Sequence, residues 1–132
     1  MTDLKITRIA ARAVNVPLKK PHPTAGGAVT SAPLVLIDLE TDGGVTGHAY
    51  LFCYTALALA PVKTLVESIG ALVTGDAVSP FDLFQKLQGK FRLLGATGLT
   101  GMAIAGIDMA AWDACARAAK LPLAKLLGGS LR

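Results

Sequence analysis

AIAGIDMAAWDACARAAKLPLAKLLG, residues Ala103–Gly128, is the stretch that decides the fold of this 132-residue chain. Residues 97–120 contain no proline and eight alanines, and alanine has the best intrinsic helix propensity. Large apolar residues such as Ile107 and Trp112 alternate with glycine and alanine, so neighbouring elements can approach this helix on more than one side. The pattern predicts a long, central helix over about 97–120, with Trp112 in the core of the domain.

Three further helices are predicted around this central one. Pro122 suits the first turn of a short helix that Gly128 ends. Thr55 can cap a helix that runs to about residue 74, whose apolar residues recur on one side. Ser79 precedes another helix over about 80–92, and a glycine-rich turn connects it to the central helix.

The first half of the chain predicts strands. Residues 4–16, 34–41 and 45–52 are rich in β-branched and aliphatic residues, and Asp-Gly-Gly at 42–44 is a hairpin signal. The segment 17–33 contains four prolines and two glycines, so we expect a long irregular loop with the role of a lid. Together these elements predict one α+β domain: a three-stranded antiparallel meander followed by a bundle of three to four helices.

Composition narrows the class of protein. Hydrophobic residues make up 52% of the chain and charged residues 17%, which leaves apolar surface for a partner. The net charge of +4 is scattered and aromatic residues make up 5%, so a nucleic-acid surface is not indicated. The charged N-terminus does not resemble a secretory signal, and neither uncharged run has the length and composition of a membrane span. We expect a cytoplasmic protein without a membrane partner, in which Cys53 and Cys115 are reduced thiols.

No catalytic constellation can be assembled from the sequence. HExxH, GxSxG and Walker patterns are absent, and we assign neither catalytic residues nor metal ligands to this chain. His48 is expected to be a structural histidine, and Asp108 a carboxylate buried against the sheet that accepts hydrogen bonds. Asp113 lies four residues before Arg117, the favourable order for a helical ion pair. His22, in the proline-rich segment, faces either a ligand or solvent.

The same 26-residue stretch resembles a signature of the mandelate racemase and muconate lactonizing enzyme family, within the enolase superfamily. The stretches ARAVNVPL, APLVLIDL and GHAYLFCYT extend the resemblance over nearly the whole chain and are most similar to the mandelate racemase branch. The resemblance implies that residues 1–132 form an N-terminal capping domain with the enolase N-terminal domain fold, and that the catalytic (β/α) barrel expected after residue 132 is absent. The signature residues are Ala103, Gly106, Ile107, Asp108, Ala110, Ala111, Asp113, Ala116, Arg117, Pro122, Leu123, Leu126, Leu127 and Gly128.

In this family, the resemblance implies, the barrel binds Mg²⁺ and removes the proton next to a substrate carboxylate, and the cap covers the barrel mouth with two loops. These map onto 19–29 and 51–55. The complete enzyme would racemize an aromatic 2-hydroxy acid and form a homo-oligomer, while this chain alone would be inactive. A sugar-acid dehydratase cap and a non-catalytic, stand-alone binding module remain open. The implied substrate-specificity residues are His22, Thr24, Gly26, Val29, Phe52 and Tyr54, of which His22 and Gly26 depart from the aliphatic pattern of mandelate racemase.

Overall fold

The computed structural model describes residues 3–131, which form a three-stranded antiparallel sheet with helices packed on one face. The predicted α+β class and the meander order β1-β2-β3 are confirmed. The strands are β1 (Ile6–Thr24), β2 (Gly27–Thr41) and β3 (Thr46–Phe52); a 3-10 turn spans Ala56–Ala58; and the helices are α1 (Leu59–Ala71), α2 (Pro80–Lys90), α3 (Gly98–Ala118) and α4 (Leu123–Leu126).

The core lies between the sheet and α1–α3. Alternate residues of the strands face the helices and are fully buried, as period-2 alternation requires. The alanines of α3 provide a flat surface against this sheet face. The largest fully buried side chains are Ile6, Val35, Ile37, Leu39, Val62, Val66, Ile69, Val73, Leu87, Ile104 and Ile107.

Two glycines set the position of α3 along β3. A Cβ atom on Gly106 would lie 2.9 Å from Leu51 Cδ1, and a Cβ atom on Gly47 would lie 2.7 Å from the backbone nitrogen of Ala114. The helix therefore packs directly on the strand, and it runs antiparallel to β3. Its N-terminus points towards the end of the domain where β3 finishes, which we call the hairpin end.

The prediction of an irregular loop at 17–33 is wrong, because β1 and β2 continue through this segment as a paired hairpin. β1 is an edge strand, where proline is tolerated, and its four residues 18–21 oppose the single residue Thr30 in a bulge. Pro33 lies in the central strand, but its carbonyl accepts a hydrogen bond from Cys53 just beyond the end of β3. The N and the carbonyl of one strand residue point to the same neighbouring strand, so the missing N–H of Pro33 would point past the end of β3, where no paired residue needs it.

The prediction that Trp112 lies in the core is also wrong. Its side chain is half-buried, and its ring packs edge-on against Phe81 of α2 with 5.4 Å between centroids. The sheet-facing side of α3 carries Gly106, Ala110 and Ala114 at positions where a tryptophan ring has no room. Small residues, not the single tryptophan, fix the central helix.

The helix boundaries follow the predicted signals with small shifts. Thr55 accepts a hydrogen bond from the Leu57 N–H and so caps the 3-10 turn, while α1 begins four residues later. Ser79 precedes α2 as predicted, but its hydroxyl donates to the Asp82 carboxylate and does not accept a hydrogen bond from a backbone N–H of the helix. Within residues 3–131, no helix has both the length and the apolar character needed to cross a membrane.

Candidate specificity surface

The first predicted specificity segment is the distal part of the β1–β2 hairpin. His22 pairs with Val29 across the two strands; His22 is exposed and Val29 is half-buried. The Thr24 hydroxyl donates to the carbonyl oxygen of Gly27 at 2.6 Å and closes the tip, where Gly27 has a φ of 121°. Gly26 has open space around the position of a Cβ atom. The tip is therefore a paired, hydrogen-bonded structure with room for a larger side chain at Gly26.

The second segment is a tight turn after β3. The Thr55 N–H donates to the Cys53 carbonyl at 2.7 Å, and the intervening Tyr54 has a φ of 60°. An i to i+2 hydrogen bond around a residue of positive φ is a γ-turn, which is strained for a non-glycine residue. The turn projects the Tyr54 ring, 77% exposed, edge-on to Phe52 at a centroid distance of 5.0 Å.

The fold brings these six residues together as two groups. The turn follows the end of β3 and the hairpin extends beyond it, so both groups lie at the hairpin end. Successive side chains of a strand point to opposite faces of the sheet. Val29 lies on the same face as the buried residues of β2, whereas Phe52, which pairs with Leu34, lies on the other face. The groups form two separate walls and not one continuous surface.

The hairpin carries unbalanced positive charge, a feature that is visible in the sequence although it belongs to no motif. Residues 13–37 include Lys19 and Lys20 and contain no Asp or Glu. Both lysines are exposed and belong to the four-residue bulge. A local positive potential at the hairpin end attracts anions such as a carboxylate.

Leu93 and Leu94 were also missed by sequence reasoning. They follow α2 and precede the N-terminus of α3, so they lie at the hairpin end, and their exposed fractions are 103% and 74%. The signal that could have identified them is a pair of leucines beside a glycine in a connection between two helices. They add a third apolar element to this end of the domain.

His48 and Asp113 have structural roles. The His48 ring contacts the Asp38 carboxylate at 2.7 Å, and the His48 backbone N–H donates to Asp113 at 2.8 Å. Asp113 also accepts from Arg117 at 2.6 Å, which confirms the predicted helical ion pair. Burial alone would raise the pKa of Asp113, but the hydrogen bonds and positive charges of Arg117 and His48 lower it overall. This cluster fastens α3 to β3.

The prediction that Asp108 is buried against the sheet and accepts hydrogen bonds is wrong. It is half-buried, but it lies outside the sheet-facing side of α3, and within residues 3–131 no hydrogen bond to its carboxylate is formed. The sheet-facing side of α3 has no room for a carboxylate, since it is occupied by glycine and alanine. Burial raises the pKa of Asp108.

The thiols and carboxylates of the described residues do not form a reactive or metal-binding centre. Cys53 is buried and Cys115 half-buried, and burial raises the pKa of both thiols. No three His, Cys, Asp or Glu side chains between residues 3 and 131 come together as metal ligands.

A cavity of about 400 Å³ lies at the opposite end of the domain. It is formed between the start of β1, the segment before α2 and the C-terminal part of α3, and Leu4, Val78 and Cys115 contribute to its walls. None of the six predicted specificity residues lines it. Four of the six, His22, Thr24, Gly26 and Tyr54, are exposed, so the hairpin end is an open surface.

Residues 6–128 match the family described as "Mandelate racemase / muconate lactonizing enzyme, N-terminal domain". The match covers most of the chain and includes all three strands and all four helices. The chain belongs to this family, whose members include the N-terminal domains of enolase-superfamily enzymes.

Relatives of known structure or activity are longer than this chain. An enolase from Bradyrhizobium, solved in complex with magnesium and mandelic acid, is 55% identical with a TM-score of 0.95, over 100% of this chain and 37% of that one. Muconate cycloisomerase 1 from Rhodococcus opacus is 30% identical over 100% of this chain and 36% of the relative. Arabinonate dehydratase from Saccharolobus solfataricus is 31% identical over 75% of this chain and 26% of the relative. The chain thus spans about a third of the length of such proteins.

Proposed function

We propose that residues 1–132 are the N-terminal capping and substrate-specificity domain of a mandelate racemase-like enzyme. In this proposal the catalytic barrel lies in a part of the polypeptide outside this chain. The observation that carries it is the similarity to the mandelic acid-bound enolase, which is 55% identical over 100% of this chain. This chain alone is expected to be inactive, since motif analysis assigns it no catalytic base.

The geometry of the hairpin end supports this role for the cap. Phe52 and Tyr54 form an apolar wall for the substrate's side group, and the hairpin tip forms the other side. Together they exclude water, and a low-dielectric, preorganised site stabilises developing charge far better than water does. The lysines of the bulge attract the carboxylate substrate to the opening. Mg²⁺, supplied by the barrel, would stabilise negative charge during removal of the proton next to the carboxylate.

The test is an isotope-exchange experiment on the full-length protein with Mg²⁺. We expect exchange of the α-proton of both enantiomers of mandelate in D₂O, followed by NMR, and interconversion of the enantiomers. The 132-residue chain alone is the matched control and should show no exchange. Absence of exchange by the full-length protein would refute the racemase assignment.

A sugar-acid dehydratase is the second candidate, and the hairpin favours it. His22 and Gly26 make this segment smaller and more polar than an aliphatic wall, and a dehydratase of a sugar acid is among the relatives. If dehydration of arabinonate exceeds mandelate exchange, this candidate replaces the first. His22→Val should then shift preference towards the aromatic substrate, whereas Lys63→Gln on the exposed side of α1 should leave it unchanged.

A further inference from the structure

The backbone of Tyr54 has an unfavourable conformation that its place in the chain does not explain. Tyr54 and Lys120 are the two non-glycine residues between 3 and 131 with a positive φ, at 60° and 53°. Lys120 lies two residues beyond α3, where a left-handed residue is a common way for a helix to end. Tyr54 follows a strand, so no helix end accounts for its φ.

Burial of the Tyr54 side chain does not offset this strain. The ring is 77% exposed, and its aromatic contact is edge-on to Phe52. A strained backbone conformation persists where the surrounding structure imposes it, and such positions are concentrated at active sites and ligand-binding sites. The residues on either side of Tyr54 therefore impose its conformation.

Cys53 anchors the γ-turn to the sheet. Its side chain is buried, and its N–H donates to the carbonyl oxygen of Pro33 in β2 at 2.8 Å. Rotation of Cys53 would expose the thiol and break this hydrogen bond. The first residue of the γ-turn is therefore fixed.

Thr55 anchors the γ-turn to the helical part of the chain. Its hydroxyl oxygen accepts a hydrogen bond from the Leu57 N–H at 3.3 Å, and its carbonyl oxygen accepts one from the Ala58 N–H at 3.1 Å. Thr55 is exposed, so it contributes through these hydrogen bonds and not through packing. Because its own N–H closes the γ-turn, the orientation of Thr55 decides whether the turn can form.

We propose that Thr55 is a positioning residue for substrate recognition. Its hydroxyl fixes the start of the 3-10 turn, which holds the γ-turn, and the γ-turn holds the Tyr54 ring in place before a substrate binds. The inference rests on the proposed function, in which this ring is a wall for the substrate's side group. A ring that is already held in place loses less freedom on contact with a ligand, so the contact contributes more to binding.

Thr55→Val in the full-length protein tests the proposal, because it removes the acceptor oxygen and keeps the shape and the backbone N–H of the residue. The ratio of kcat/KM for mandelate to that for lactate, an aliphatic 2-hydroxy acid, should fall several-fold. The loss should appear in KM for mandelate with kcat little changed, since a wall contacts the side group in the bound substrate and in the transition state alike. Thr55→Ala, which also lacks the oxygen, should show the same loss.

Two variants serve as controls. Thr55→Ser keeps a hydroxyl at this position and should retain the parent ratio. Thr74→Val removes a hydroxyl that donates to the Gly70 carbonyl oxygen at 3.2 Å, and Thr74 is exposed like Thr55. It should also leave the ratio unchanged. Equal losses in Thr55→Val and Thr55→Ser would show that the hydroxyl does not position the ring.

A double-mutant cycle shows whether Thr55 acts through Tyr54. In a Tyr54→Ala background there is no ring to position, so Thr55→Val should cause no further fall in the ratio. A further fall as large as the one in the parent background would overturn the proposal, because Thr55 would then affect specificity by another route.

The position of the ring can also be measured without activity. The full-length protein is labelled with fluorotyrosine, and the fluorine NMR resonance of Tyr54 is assigned by its loss in Tyr54→Phe. Thr55→Val should shift this resonance, whereas Thr55→Ser and Thr74→Val should not. An unchanged resonance in Thr55→Val refutes the positioning role, whether or not the protein is a racemase. A shifted resonance in a protein that does not exchange the α-proton of mandelate refutes only the racemase assignment.

Discussion

Gly47→Ala tests whether direct packing of α3 on β3 holds the domain together. A Cβ atom at this position would lie 2.7 Å from the Ala114 backbone nitrogen and closer still to the Ala110 carbonyl oxygen. Both contacts are with helix backbone, so the strain cannot be relieved by a rotamer change. Overpacking costs about 1–3 kcal/mol, and a rigid neighbour places this substitution in the upper half of that range. Alanine recovers about 0.4–1 kcal/mol by restricting the unfolded chain.

The net expectation is a loss of roughly 1–2.5 kcal/mol, measured as a lower midpoint of urea unfolding with an unchanged slope. The matched control is Gly89→Ala in α2, where the new Cβ atom would meet nothing within 4 Å apart from its chain neighbours and the backbone of its own helix. It should stabilise the domain by about 0.5–1 kcal/mol, because alanine is the better helix former. Equal or greater stability of Gly47→Ala relative to the parent would refute the packing of α3 on β3.

Two further substitutions test neighbouring features. Trp112→Ala should cost about 2–4 kcal/mol in the isolated domain, since a mostly buried ring and its edge-on contact with Phe81 are lost; a loss below about 1 kcal/mol would show that the ring contributes little to packing. Asp113→Asn removes the charged acceptor for Arg117 and for the His48 N–H, and should cost about 1.5–3 kcal/mol at pH 7. Because the fold lowers the pKa of Asp113, its stabilisation is complete above the ordinary value of 3.8 and is lost as the pH falls below it. Urea midpoints between pH 7 and pH 3 should therefore converge for parent and variant only at the acid end.

The sequence predicted the element types wherever local chemistry and tertiary packing agree. Alanine and glycine in the stretch from residue 103 onwards favour a helix that neighbouring strands and helices can approach closely. At Gly47 and Gly106 the strand β3 and the helix α3 are in direct contact. The Asp-Gly-Gly turn fixed the pairing of β2 with β3. These features are local, so their spacing is visible in the chain.

The failures came from features that depend on neighbours. The prolines of 17–33 predict an irregular loop, although an edge strand and the end of a ladder both tolerate a residue without an N–H. Trp112 and Asp108 were assigned to the core by their place in an apolar helix, because periodicity does not reveal which sides of an all-apolar helix are covered. The positions of Phe52 and Tyr54 at a strand end were predictable, but the γ-turn was not, since Tyr54 carries no local signal for a positive φ.

The specificity of Tyr54→Ala in the full-length enzyme is the most direct test of the account. The measurement is kcat/KM for mandelate and for lactate, a small aliphatic 2-hydroxy acid, together with the affinity for Mg²⁺. Tyr50→Ala, at an exposed position of β3 shortly before the turn that carries Tyr54, is the control. Loss of one apolar wall contact should lower the preference for mandelate over lactate by about 10 to 200-fold and leave Mg²⁺ affinity unchanged. Equal losses on both substrates, or a collapse of Mg²⁺ binding, would contradict the assignment of this end of the domain to substrate recognition.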